Sequence, residues 1–582
     1  MLSPVALRAQ DLDQPPPLSV AGQAPTGPLV TLHGVVRNGA TGEPLPRALV
    51  RIEGDADTGA LTDGEGRFEI PNVAAGPQGV IVVKPGFRDG TASDGGEDQE
   101  ESSGTVHNVL VAAEMPDVMF TMAPTNSIHG LIQLSTGDSA QGVEVTLLQR
   151  TVMSGRTVWQ VASTARANSD GVYRFAGLAD GMYAIYTNPA MDSEAATNLV
   201  EAGMAGNVSR SGYTSQFYAD ARDLAGAMKM HLAGGEQAEA NLSLTLEPFQ
   251  VVTATILSAD GRRISDASPA QPGMAVSAVV IDGQGHQLPF AAQYDASTHM
   301  LQTSLPDGTY SILVTAITMR VGDRFAANGV FSGAQAAGNL VGQVDVSVAG
   351  HAVSNLRIPL SPIRPSPVQV SLIGSGVQGA RTSPGQEGSD GVFITLNQTG
   401  GWISDGMVSS YAEGPVYGPL KVAPVQPGSY WAHTSIANKG YCEGSLTAGG
   451  ANLAREPLTI GLAGPAAPVS LTLRSDCASL TLALPATMAV PVAGEEPFYT
   501  VYAVPDFDTT GDLVPQTLRA STGGTVTLEG LTPGNYHVYA FTRPVELAYH
   551  NAEAMAALGN PGQAVTLPPG GKASLVVEAP EH

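Results

Sequence analysis

The chain has 582 residues, too many for one hydrophobic core and enough for several. Gly 68 and Pro 42 make up about a fifth of it, against 14% charged and 43% apolar residues, a balance that favours turn-rich β structure over helix or disorder. With 28 basic and 53 acidic residues the formal charge is -25, which argues against a nucleic-acid partner, and no apolar run is long enough to cross a bilayer as a helix.

In chain order, residues 1–28 read as the tail of an export signal, with Ala9 at its cleavage point, followed by a linker through Pro15, Pro16 and Pro17. A first module, 29–124, opens with a strand from Val30 to Arg37, the turn Asn38-Gly39, and a second strand from Ala48 to Ile52. Asp63-Gly64 here and Asp170-Gly171 in the second module read as hairpin turns, because Asp-Gly tolerates positive φ. Asp94, Glu97, Asp98, Glu100 and Glu101 lie in a stretch from Arg88 to Arg150 without any intervening Lys or Arg; their spacing is not a calcium loop and reads as a solvated segment. The second module, 125–248, carries an insertion at 191–232 in which Ser193 to Ala202 and Ala219 to Lys229 could form a helical turn or two. Modules at 249–362, 363–475 and 476–582 follow.

Two phrases recur in step and set these boundaries. One is an alternating strand ending in Leu or Val, a Gly turn, and a new strand usually opened by Tyr. It covers Phe68 to Gly76, Tyr173 to Tyr183, Leu301 to Tyr310, Leu420 to Tyr430 and Val526 to Tyr536. The other is a closing strand running into a Pro or Asp hinge: Asp117 to Pro124, Ala240 to Pro248, Ser354 to Pro362, Pro468 to Asp476 and Ala573 to Pro580. Together they predict an all-β fold, a tandem array of about five antiparallel β-sandwich modules of transthyretin-like or immunoglobulin-like type. Tyr183, Tyr310, Tyr430 and Tyr536 are expected to turn their rings inward and clamp each corner through a hydroxyl to a backbone carbonyl.

Motifs for chemistry fail on context. Gly374-Ser-Gly376-Val-Gln-Gly379 matches a dinucleotide fingerprint, yet Ala380 to Gly385 is no helix to receive a pyrophosphate. No Gly-x-Ser-x-Gly elbow and no Walker loop occurs, and the 11 His are scattered without zinc-ligand spacing. Two acids from distant strands could still form a glycosidase pair, which the scarcity of helices and long loops disfavours. The expectation is therefore no enzyme, no cofactor and no metal. Cys442 and Cys477 either pair, closing a loop at the joint of modules four and five, or stay as two buried thiols; export favours the pair. Alternation from Tyr430 puts Trp431 and His433 on the outer face, and from Tyr536 it puts His537 and Tyr539 there; Trp402 sits in a Gly-rich segment. These rings either form a sugar-stacking platform or, more commonly for such side chains, pack where modules meet.

Val35 to Val50, with Asn38-Gly-Ala-Thr-Gly-Glu-Pro-Leu-Pro46, followed by Thr62-Asp-Gly-Glu-Gly-Arg-Phe-Glu-Ile70 and Lys84-Pro-Gly-Phe87, resembles the carboxypeptidase regulatory-like domain family. Ser169 to Leu178 repeats the pattern more loosely, and Leu453 to Leu458 and Leu531 to Tyr536 resemble multi-module exported proteins of Acidobacteria-type bacteria. The resemblance implies a transthyretin-like or carbohydrate-binding-like sandwich that lends no catalytic residues. It implies a non-catalytic array exported to the periplasm, outer surface or medium. Polysaccharide is then the first expected partner and a cell-envelope protein, reached by a spacer or docking rod, the second; an accessory role beside a peptidase or an outer-membrane uptake system is the third.

Overall fold

The computed structural model describes residues 28–89, 106–191, 210–258, 274–318, 340–373, 391–399, 410–484 and 498–578, apart from short breaks at 56–57, 282–286, 289, 296–297, 364–365, 416–419, 423–426, 512, 514, 520–523 and 543–544. The export-signal tail, the acidic run Asp94 to Glu101, the segment Ser193 to Ala202, the Gly374 to Gly379 phrase and Trp402 lie outside the described residues. Strands dominate the remainder, and among the described residues the helix is the short Ala552–Ala557, capped by Asn551.

Period-two burial drives the assembly. In Leu29–Asn38 every second residue from Leu32 is buried, and Val118–Pro124 and Val106–Val111 alternate in the same way. Each strand thus has one wet and one dry face, and dry faces meet in pairs. In the first unit one sheet has the order Arg67–Ala74, Leu29–Asn38, Val118–Pro124, Phe87–Asp89. The other has Gly59–Leu61, Leu49–Ile52, Gly76–Val83, Val106–Val111. Leu32, Val36, Phe68, Val80, Val109 and Phe120, drawn from both, form one core. Four further sandwiches repeat the plan, each around its own core. Each fully buried Leu, Val or Phe stabilises its unit by roughly 1.5–3 kcal/mol.

The two recurring phrases have distinct structural meanings. The Gly-turn phrase is the crossing from one sheet of a sandwich to the other, as in Val172–Leu178 to Gly181–Thr187 and Thr525–Leu531 to Gly534–Phe541. At these corners the hydroxyls of Tyr183, Tyr310 and Tyr536 donate to the carbonyls of Ala179, Pro306 and Thr532, in each case four residues back. In the first unit Gln78 takes the place of Tyr and its side-chain amide donates to Ala74, again four back. Tyr430 is fully buried at the fourth corner. Burial pushes the phenols of Tyr310 and Tyr430 up to about 12, and that of Tyr536 further.

The closing phrase is the strand that lies beside the opening one, and here the pairing departs from a purely antiparallel expectation. Val118–Pro124 runs parallel to Leu29–Asn38, Leu242–Leu244 to Asn126–Leu134, Val353–Pro359 to Leu246–Leu257, Val469–Arg474 to Ser366–Ile373, and Lys572–Val576 to Ala478–Ala483. Among the described residues all remaining pairs within the sandwiches are antiparallel, except that Gln237–Glu239 also runs parallel to Asn126–Leu134. A closing strand passes almost directly into the next opening strand: a single residue, Thr125, separates Pro124 from Asn126, and Thr245 alone separates Leu244 from Leu246.

Two local readings are corrected, at the Asp63 turn and in the insertion. The left-handed residue of the first hairpin turn is Gly66 (φ 73), not Gly64, and the Asp63 carboxylate accepts from the amides of Glu65 and Arg67. In the second unit Asn168 plays that part for Asp170 and Val172 ahead of Gly171. The equivalent signature is thus Asx-x-x-Gly, with Asp63 matching Asn168. Within the insertion, Ala219 to Lys229 forms turns and bends, not helix, while Arg210–Tyr213 joins the edge of the Leu246–Leu257 sheet.

Candidate interaction site at the module joints

The strand Glu144–Met153 pairs with Arg156–Arg166 along its whole length, but its other edge is paired with Gly181–Thr187 only from Val145 to Gln149. Beyond Gln149 the hairpin is a two-stranded arm leaving its own sandwich. Ser154 (φ 45) and Gly155 (φ 72) form its tip, the two left-handed residues that a tight hairpin of this twist requires. A free two-stranded ribbon is marginal in water. This one is held at its far end.

The tip docks where the fourth and fifth modules meet. The amide of His550 donates to the Gly155 carbonyl at 2.9 Å, and the Tyr549 ring sits 2.4 Å from where a Gly155 Cβ would stand, so only glycine fits. The guanidinium carbon of Arg156 lies 3.5 Å from the centre of the Trp431 ring, and its Nη2 donates to the Ala454 carbonyl. Tyr549 Oη accepts from the amide of Leu513 at 3.3 Å, fixing the ring. Burial draws the Arg156 pKa below its ordinary value, opposed by Tyr549, and Nε is buried with no hydrogen-bond partner among the described residues. The cation is therefore held by the indole face and one carbonyl, at some desolvation cost.

The joint beneath is stapled twice. Cys442 and Cys477, 35 positions apart in sequence, are joined with S–S 2.13 Å across the passage from Val469–Arg474 to Ala478–Ala483. Next to Cys442, the Glu443 carboxylate is only 7% exposed and crosses to module five, accepting from the Thr510 amide at 2.9 Å and the Thr510 hydroxyl at 2.8 Å. Thr434 adds a hydroxyl contact of 2.7 Å to Thr510 and donates its amide to the Thr510 carbonyl, and Thr532 Oγ1 donates to the Glu443 carbonyl. Burial raises the Glu443 pKa, and the hydrogen bonds from Thr510, Thr509 and Thr434 oppose that rise. Arg455 pairs with Asp508 at 2.6 Å on the rim of the same joint.

The sequence-derived ring candidates are placed as follows. Trp431 lies under Arg156, and His433 is buried at 6% exposure. His537 is half-buried, with Nδ1 2.6 Å from the Pro561 carbonyl and Nε2 3.3 Å from Asp506. Tyr539 is half-buried above Gly562 on the same face as His537. Trp431 and His433 belong to Gly428–Ile436, His537 and Tyr539 to Gly534–Phe541, so the two pairs sit in different sheets. Sequence reasoning missed Arg156, Tyr549 and Glu443. The available signal was a pair of strands of 10 and 11 residues around Ser154-Gly155, too long for their partner of 7.

Residues 31–106 match the family model of the carboxypeptidase regulatory-like domain. No curated protein matches the chain. Among solved structures, the Bacillus anthracis TIE protein is similar at 10% identity over 71% of this chain, with a TM-score of 0.13; the match spans 64% of that protein. Two B repeat units of the collagen-binding protein of Staphylococcus aureus are similar at 12% identity over 72% of this chain and 94% of theirs, TM-score 0.11. The major pilin subunit of Bacillus cereus is similar at 7% identity over 78% and 100%, TM-score 0.11. At these scores no equivalence of whole chains follows.

Proposed function

We propose that the chain is an exported, non-catalytic array of β-sandwich modules that serves as a folded scaffold at or near the cell surface and presents its faces to an envelope protein. The observation that carries this reading is the docked hairpin tip: polar, aromatic and charged side chains that would serve a ligand site are spent on holding modules together. The buried acid Glu443 is sealed by Thr510, not turned to a cleft. The Cys442–Cys477 bond fits an oxidising compartment. The test is surface biotinylation of intact cells with mass analysis of unreduced peptides. Labelled protein carrying the linked Cys442 and Cys477 peptides is expected; a reduced, unlabelled cytosolic pool would overturn the reading.

A second reading, polysaccharide binding, is favoured by the half-exposed His537 and Tyr539 side by side on an outer face. It requires that Tyr539→Ala abolish retention on a glycan column while leaving the melting temperature unchanged; no retention of the parent protein on any glycan removes this reading.

A further inference from the structure

A cleft of about 550 Å³ opens at the joint of the first and second modules. Its floor is the outer face of the sheet Val172–Leu178, Asn126–Leu134, Gln237–Glu239, and its overhang comes from Gly86 and Pro124 of module one. Tyr173 and Phe175 point into the core, so Arg174 and Ala176 point out. Arg174 pairs with His129 and Gln237 with Ser127, so the two side chains rise from the strands on either side of Asn126–Leu134 and line the same cleft, over a floor kept low by Ala176, Gly177 and Gly235.

The cleft is built from behind. Asn126 is fully buried; its Nδ2 donates to Leu178, Ala179 and Asp180, and its Oδ1 accepts from the amides of Gly235 and Glu236. Thr125 is tied to the Gly86 carbonyl through its amide at 2.9 Å. The amides of Thr125, Ser127, Gly235 and Glu236 are thus spent within the wall, and Arg174 and Gln237 are its exposed polar side chains. Arg174 is exposed and makes no ion pair or hydrogen bond among the described residues. Gln237 is exposed as well. On the same face His129 lies opposite Arg174, and Glu239 opposite His129.

An unpaired guanidinium and, across one strand, a carboxamide on the same cleft floor match a carboxylate flanked by hydroxyls. No aromatic ring for stacking a neutral sugar is found among the described residues that line the trough. A chain of formal charge -25 also repels a dense polyanion. We infer that the joint of modules one and two binds a saccharide bearing an isolated carboxylate, a uronic-acid unit, with Arg174 clamping the carboxylate and Gln237 and Thr125 contacting ring hydroxyls.

The test is NMR titration of the full chain with cellobiouronic acid, with cellobiose and with sodium acetate. Saturable shifts from the uronic disaccharide alone are expected, weakened at least tenfold by Arg174→Ala and several-fold by Gln237→Ala, with Arg174→Lys in between. Equal binding of cellobiose, equal binding of acetate, or an unchanged affinity in Arg174→Ala would each overturn the assignment. The scaffold reading does not depend on this site, so its failure leaves that proposal standing.

Discussion

Replacing Arg156 by Ala removes the stack on Trp431 and the bond to Ala454 while leaving the hairpin turn intact. A desolvated cation–π contact is worth about 2 kcal/mol. A hydrogen bond from a charged donor adds about 1.5–3 kcal/mol. Against this stand the lowered Arg156 pKa and the unpartnered buried Nε, which show that docking already costs solvation. A net loss of roughly 1–3 kcal/mol remains, so the docked tip should open about 5- to 150-fold more often. The most direct reporter is the His550 amide, whose acceptor is the Gly155 carbonyl. Hydrogen exchange over 549–551 should accelerate by that factor in Arg156→Ala, and less in Arg156→Lys, which keeps the charge but loses the planar stack. Small-angle scattering should show a larger radius of gyration. Unchanged exchange at His550 together with unchanged scattering would refute the reasoning.

At Glu443 the folded-state pKa lies above the unfolded one, so its contribution is complete below the ordinary carboxylate range and is lost as pH rises through the raised value. Calorimetry should therefore show the module four–five transition shifting down as pH climbs from that range toward neutrality, and Glu443→Gln, whose one amide oxygen still accepts from the Thr510 amide while its Nε2 can only donate toward the Thr510 hydroxyl, should flatten the profile; an equally steep profile in the variant would count against it. Reducing the Cys442–Cys477 bond frees a closed loop of 35 residues and should cost about 4 kcal/mol, seen as a dithiothreitol-dependent drop in the melting transition of modules four and five only.

Module count and sheet crossings were legible because they rest on local rules: alternation, and a Gly turn followed two residues later by Tyr. The parallel closing pair was not, since the partner of Val469–Arg474 lies about a hundred residues earlier in Ser366–Ile373, and alternation is the same in either direction. The turn register slipped at Asp63 because Asp-Gly is a frequent hairpin pair, whereas here Gly66 carries the positive φ. The joint was hardest to read. Arg156 and Ala454 are 298 residues apart and meet only through the packing of whole modules. Alternation assigns Trp431 a strand face but cannot say which module's arm lies over it, here Arg156 of module two.

The adjacent, co-directional first and last strands fix how each sandwich carries a mechanical load. Tension applied through the one-residue links at Thr125 and Thr245 enters one strand at its beginning and leaves the neighbouring strand at its end. The ladder between them is then strained in shear, all rungs together, instead of being unzipped one at a time. A chain of such units yields only when a whole ladder ruptures, which suits a protein pulled between two anchors.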